Sequence, residues 1–325
     1  MAWNHTKKSK KAKQKKIMKK IFGKSLPLVS TLLLLICIAF SLLYTQCEPV
    51  RDFVGDLGIF TEQTTTRPYI DPEGSEMAVH FIDVGQGDCT LLQTPQGSVL
   101  IDCSEPEYGE DIIAYLKSVG VNELEYFIIT HPDEDHMGAA AYILNNFKVN
   151  YFVLNGKSKN TKFFSNALDA VEKNDIPMLE ALPKDVYTVG ALRMEILGPY
   201  TDNIEKMSSN DSSLIIHATY GKRVFLFTGD AEDEGEEILL NHHRNDIDCD
   251  VFSAGHHGSK TSNSLELLQA ATPTYVVISC GKDNDYGHPH AKAMDNFAKV
   301  GATIYRTDEL GTIVFVTDGE TLEKK

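Results

Sequence analysis

The segment 126–138, Y-F-I-I-T-H-P-D-E-D-H-M-G, constrains this chain more than any other. An apolar run ends at Thr130, and a helix-like pattern begins at Met137. Between them, four groups able to bind a metal (His131, Asp133, Asp135 and His136) fall within six residues. The order is strand, loop, helix. Ligands on one regular helix must recur every three or four residues to share a face, whereas a loop turns neighbouring side chains toward different points. His131 with Asp133 can therefore serve one cation, and Asp135 with His136 another. Without cations, two carboxylates at the mouth of a core strand repel each other and lose hydration if buried.

Further along, apolar strands again end on polar groups. F-L-F-T-G-D delivers Asp230 to a strand's carboxyl end, where ligand groups collect in α/β sheets, although the same residue could cap the following helix. V-F-S-A-G-H-H-G-S brings His256 and His257 after a buried run, flanked by glycine, and Y-G-H-P-H sets His288 ahead of the last long helix. In D-V-G-Q-G-D, 83–88, Gly85 and Gly87 let backbone approach the centre, and Asp83 or Asp88 could orient ligands. Asn210 and Asp211 read either as water-positioning groups or as turn formers. Ser259, Lys260, Tyr286 and Arg306 complete the candidate substrate contacts, with Lys260 on the phosphate side and Arg306 read as either a substrate cation or a salt-bridge partner.

The ligand loop resembles the signature of the metallo-β-lactamase superfamily, H-x-H-x-D-H, with Asp133 in place of the second His. That variant is similar to the hydrolase domain of the ComEC competence family, as are H-F-I-D-V-G-Q-G-D (80–88), N-D-S-S-L (210–214) and the motifs around Asp230, His256 and His288. It is also similar to the phosphorylcholine esterases of the superfamily. The resemblance covers about 77–319 and implies a four-layer αββα fold. It further implies a binuclear centre in which Asp230 bridges two cations. His256 completes the set with His131 and Asp133, and His288 joins Asp135 and His136. His257 then lies beside the ligands or faces substrate, and Asp135, Asp230 and His257 form the catalytic group. The four positive charges of two divalent ions are balanced by Asp133, Asp135, Asp230 and one bridging hydroxide. Imidazole and carboxylate without thiolate suit Zn or Mn. A third-motif His, which the lactamases proper carry, has no counterpart here. His217, the nearest, lies inside a strand pattern.

Composition bears on location and substrate. Residues 1–25 form a basic tail with ten Lys and no acid, and 26–44 form an apolar stretch of 19 residues, enough for one membrane span. The tail reads as cytoplasmic, so the chain beyond 44 is expected outside the cytoplasm. A cleaved signal, leaving a secreted protein, is the rival reading, and 42–47 offers no small-x-small site for it. Residues 45–76 read as a linker and 77–325 as the hydrolase domain. The net charge of −15 includes those ten Lys, which leaves 21 basic against 46 acidic residues elsewhere. Such a domain lacks the basic footprint of a tight nucleic-acid binder. Five Cys outside the apolar stretch show no metal spacing. Four sit in strand-like runs as expected free thiols, with a Cys89–Cys103 disulfide as the alternative.

Strand patterns at 78–84, 89–94, 98–103, 125–130, 151–154, 192–197, 212–220, 223–228, 249–254, 275–280, 302–305 and 312–317 interleave with helical patterns at 110–119, 137–147, 161–174, 231–241, 264–271 and 291–300. The expected activity is metal-assisted hydrolysis by the bridging hydroxide, first of a phosphodiester in nucleic acid or a cell-wall polymer. The alternatives are an ester, lactone or lactam hydrolase, and a non-catalytic, metal-stabilised binding domain. No protein partner is implied.

Overall fold

The computed structural model describes residues 76–325. The expected basic tail, membrane anchor and all but the last residue of the linker lie outside the described residues. Among the described residues no helix is long and apolar enough to cross a membrane.

Two sheets are built from one plan used twice. β1 (Met77–Phe81), β2 (Thr90–Thr94), β3 (Gly97–Ile101), β4 (Glu123–Ile128), β5 (Lys148–Leu154) and β6 (Met178–Glu180) lie side by side in chain order. The first three pair antiparallel, and β3 to β6 pair parallel. β7 (Val186–Val189), β8 (Leu192–Gly198), β9 (Ile215–Tyr220), β10 (Arg223–Phe227), β11 (Val251–Ser253), β12 (Tyr275–Ile278) and β13 (Thr303–Arg306) repeat the plan in the second sheet. There β7 to β10 are antiparallel and β10 to β13 parallel. β14 (Ile313–Thr317) and β15 (Leu322–Lys324) return to the first sheet beside β1.

Parallel neighbours need crossovers, and helices supply them. α1 (Gly109–Ser118), α2 (Glu134–Met137) with α3 (Ala140–Asn146), and α4 (Lys162–Lys173) serve the first sheet. α5 (Asp233–His243), α6 (Leu265–Ala271) and α7 (Ala291–Lys299) serve the second, and α8 (Thr307–Leu310) follows β13. Three apolar cores make the layering explicit. Leu91, Phe127 and Phe152 pack under α1, α3 and α4. Phe81, Val99, Met194 and Phe225 fill the space between the sheets. Leu226, Phe252 and Phe297 pack under α5 to α7. The order is helix, sheet, sheet, helix, as expected. Each fully buried Phe or Leu contributes roughly 1.5–3 kcal/mol, so the strand alternation that aims these residues inward dominates the stability.

Two expectations change. The single helix read over 137–147 is broken into α2 and α3, because α2 begins at Glu134, immediately after the ligand loop. The strand read from Ser212 begins at Ile215, since Asn210–Ser212 closes a tight 3-10 turn. Cys89, Cys103, Cys249 and Cys280 are buried free thiols, and burial raises the pKa of each.

Candidate metal centre

β3, β4 and β10 end on the same side of the sandwich, and each hands over a carboxylate or an imidazole. β4 leads into Thr130 and His131, both buried. Asp102 follows β3 and Asp230 follows β10. The Thr228-Gly229-Asp230 turn needs glycine. Gly229 has φ +50°, and a Cβ there would lie 2.9 Å from both Cβ and Oγ of Ser213. Gly87, with φ +134°, has the same need where the 83–88 turn crosses the ligand loop, since a Cβ there would lie 2.6 Å from the Asp135 carbonyl oxygen.

Asp230, buried, is the hub. His136 Nε2 lies 3.0 Å from its Oδ1 and His257 Nε2 3.9 Å from the same oxygen. His131 Nε2 lies 3.9 Å and His256 Nε2 3.6 Å from Oδ2. Three of the four rings have hydrogen-bonding groups behind them at Nδ1, whereas His256 Nδ1 makes no hydrogen bond. Asp102 Oδ2 accepts from His136 Nδ1 at 2.8 Å, and the Ser279 carbonyl accepts from His257 Nδ1 at 3.0 Å. His131 Nδ1 sits 3.2 Å from the hydroxyls of Thr130 and Ser213, and His256 Nδ1 is 3.2 Å from Glu232 Oε1. Rings fixed in this way present Nε2 to one point, the usual arrangement of metal-ligating histidines.

Charge explains what the arrangement lacks. Burial, and His136 alongside, push His131 down to about 4. Burial, the largest influence on His136 and His257, opposes a proton on each, but Asp230 and Asp102 together outweigh it at the first and Asp230, Asp135 and Asp88 together at the second, and both are held above the usual histidine range. Asp135 and Asp230 are drawn below the usual carboxylate range, because these neighbours overcome the cost of burial. Yet His131 Nε2, His136 Nε2 and Asp230 Oδ1 are buried without a hydrogen-bond partner. Orphaned imidazole nitrogens facing an orphaned carboxylate oxygen fit divalent cations. Asp135, His136, Asp230 and His257 each offer an atom within 4.8 Å of the others.

The other expected residues fall as follows. Asp133 Oδ1 is 3.8 Å from His131 Nε2. His288 is buried beside the cluster, its ring centre 5.5 Å from that of His256 and 5.9 Å from that of His257, outside the tight set. Tyr286 is 64% exposed and stacks on His288 at 5.6 Å. Ser259 bonds to Thr261, and exposed Lys260 is pinned through its backbone N–H to His290 Nδ1. Arg306 pairs with Asp308 and Glu309, the salt bridge of its two readings. Asn210 opens the 3-10 turn, and Asp211 caps the start of α5 by accepting from the backbone of Glu232 and Gly235. Asp230 does not cap that helix, whose N-cap is Glu232. Asp88 approaches His257 Nδ1 at 3.3 Å, whereas Asp83 accepts from its own turn.

Asp102, Glu232 and Lys159 were not singled out by the sequence reading. Asp102 carries a recognisable signal, a carboxylate directly after the apolar strand G-S-V-L-I, the same pattern that marks Asp230.

Residues 82–282 match the Metallo-beta-lactamase superfamily, and the chain belongs to it. Fold, family and ligand cluster together define a metal-dependent hydrolase domain. Its relatives include a competence protein. The chain is 34% identical over 259 residues to ComE operon protein 3 of Bacillus subtilis, an alignment covering 74% of this chain and 33% of that protein. It is 28% identical over 287 residues to competence protein ComA of Neisseria gonorrhoeae, covering 87% and 38%, and 31% identical over 240 residues to recombination protein 2 of Haemophilus influenzae, covering 72% and 28%. These agree with the ComEC-like reading, and the chain spans about a third of the length of each. The solved structure of the metallo-beta-lactamase fold protein YhfI from Bacillus subtilis superposes with a TM-score of 0.50 at 13% identity, covering 75% of this chain and all of that one, which establishes the shared fold.

Proposed function

We propose that the domain is a phosphodiesterase whose centre holds two divalent cations, Zn or Mn, and that it acts outside the cytoplasm on a membrane anchor. The observation that carries this reading is the convergence of four imidazole Nε2 atoms on Asp230, with partnerless atoms among them. Asp135, His136, Asp230 and His257 would hold one cation, and His131, Asp133 and His256 would hold the other with Asp230 shared. His288 would back the cluster. Divalent cations held there supply Lewis acidity and acidify a coordinated water.

The chain's own residues do the rest. Asp102 and the Ser279 carbonyl fix the tautomers of His136 and His257, so that Nε2 is free to donate its lone pair. Asp135, 3.2 Å from His257 Nε2 and partly open to solvent, can accept a proton from an attacking water. Buried walls exclude bulk water from Asp230. A phosphodiester comes first because in-line displacement at phosphorus suits a carboxylate and imidazole site without thiolate, and because the relatives include a competence protein and a recombination protein. Single- or double-stranded nucleic acid is the polymer to try first, although the acidic chain speaks against a tight grip on it.

The test is hydrolysis of bis-p-nitrophenyl phosphate and of nitrocefin by Zn- and Mn-loaded protein. Activity on the first alone is expected. Asp230→Asn should lower it by more than the about 10–100-fold that follows loss of an outer partner. Full activity in that variant would remove Asp230 from the chemistry.

A further inference from the structure

We propose that Lys159 is the phosphate-binding cation of this site, gripping a non-bridging oxygen of the substrate at the open side of the centre. The inference rests on the phosphodiesterase reading. Lys159 Nζ lies 2.6 Å from Asp133 Oδ1, an oxygen that also accepts from Ser209 Oγ. The two ion-paired side chains are 31% and 28% exposed, whereas His131, His136, His257 and Asp230 are buried, so the pair stands at the rim.

The backbone that carries Lys159 is braced on both sides of the cleft. Asn155 Nδ2 donates to the Ser212 carbonyl at 2.8 Å, Lys157 Nζ to the carbonyls of Ile204 and Met207 at 3.0 and 2.8 Å, and Ser158 Oγ to Glu205 Oε1 at 2.8 Å. These bonds tie the segment after β5 to the segment that carries Ser209. Lys159 and Ser209 are thereby brought as two donors to one spot, before any ligand arrives.

Charge selects the ligand. Of the cations expected for phosphate, Arg306 already faces two carboxylates, and Lys260 stands on an exposed turn whose backbone N–H is bonded to His290. In a chain of net charge −15, a positive side chain beside the centre adds to whatever attraction bound cations offer a phosphodiester. Among the described residues Asp133 is the partner of the Lys159 ammonium. With the charge of Asp133 shared with a bound cation, the Lys159 ammonium would be available to an incoming oxyanion, for which a lysine is a point-charge partner.

The experiment compares Lys159→Met and Lys159→Arg with the wild-type full chain, all metal-loaded. It measures bound metal by elemental analysis, the Kd for inorganic phosphate by calorimetry, and KM and kcat on bis-p-nitrophenyl phosphate. The Met variant should keep its metal and most of its kcat while the phosphate Kd and KM rise about tenfold or more, with Arg restoring much of the loss. Unchanged Kd and KM in the Met variant overturn the proposal, and so does a loss of metal in step with phosphate that Arg fails to repair, which would make Lys159 a prop for Asp133. Phosphate bound through Lys159 without hydrolysis of any phosphodiester would sustain the proposal and remove the phosphodiesterase reading instead.

Discussion

Asp102 shows how much a single buried carboxylate can do. It is 1% exposed with φ +58°, it accepts from the Thr130 backbone N–H and hydroxyl at 2.7 Å each, and it holds His136 from behind. Burial raises its pKa, and His136 and the Thr130 backbone N–H pull it back. Asp102→Asn keeps a residue that tolerates the left-handed backbone but weakens acceptance from His136. Metal affinity should fall by about 10–100-fold, read by competition with a chromophoric chelator, with the fold retained. The ligand loop could be read directly because its four donors are neighbours in sequence. Asp102 acts across 34 residues and Lys159 across 26, and such pairings exist only once β3, β4 and β5 lie side by side. For the same reason the two readings of Arg306, substrate cation or salt bridge, stayed open in the sequence, and the geometry that turns Asp308 and Glu309 onto it gives the salt bridge.

At the scale of elements, long strands and helices with clear periodicity were legible, and short edges were not. β6 and β15 have three residues each, and β7 alternates over only four, too few for a pattern to stand out. One tie between elements makes a pH prediction. Glu236 of α5, buried, accepts from the backbone N–H groups of Asn263 and Ser264 and so fastens that helix to the loop after the His256-His257 turn. Burial lifts its carboxyl from 4.5 to about 7 against those hydrogen bonds. Between these values the native state binds more protons than the unfolded chain, so this group's contribution to stability declines as pH rises through the window. In urea unfolding, the stability of wild type relative to Glu236→Gln should be higher at pH 5 than at pH 8, by up to about 3 kcal/mol. A pH-independent difference would show that Glu236 is ionised throughout.

For the whole molecule, the centre joins two sheets that otherwise meet through the apolar layer around Phe81 and Phe225. His131 and His136 come from the first sheet's side, and Asp230, His256 and His257 from the second's. Cations held between them stabilise the folded state by mass action, about 3–4 kcal/mol at 100 to 1,000 times Kd. Chelation should therefore lower Tm by roughly 5–15 °C, and Zn or Mn should restore it. An unchanged Tm after EDTA with metal loss verified would mean that the sandwich closes on its apolar layer alone. Strand direction has a further consequence. β1 is antiparallel to β2 and β2 to β3, so β1 runs the same way as β3 and β4, whose far ends carry Asp102 and the ligand loop. Met77 therefore begins at the floor of the sandwich and the histidines crown its roof. The chain therefore enters the domain at the end of the sandwich opposite the histidines, and its first strand leads toward them.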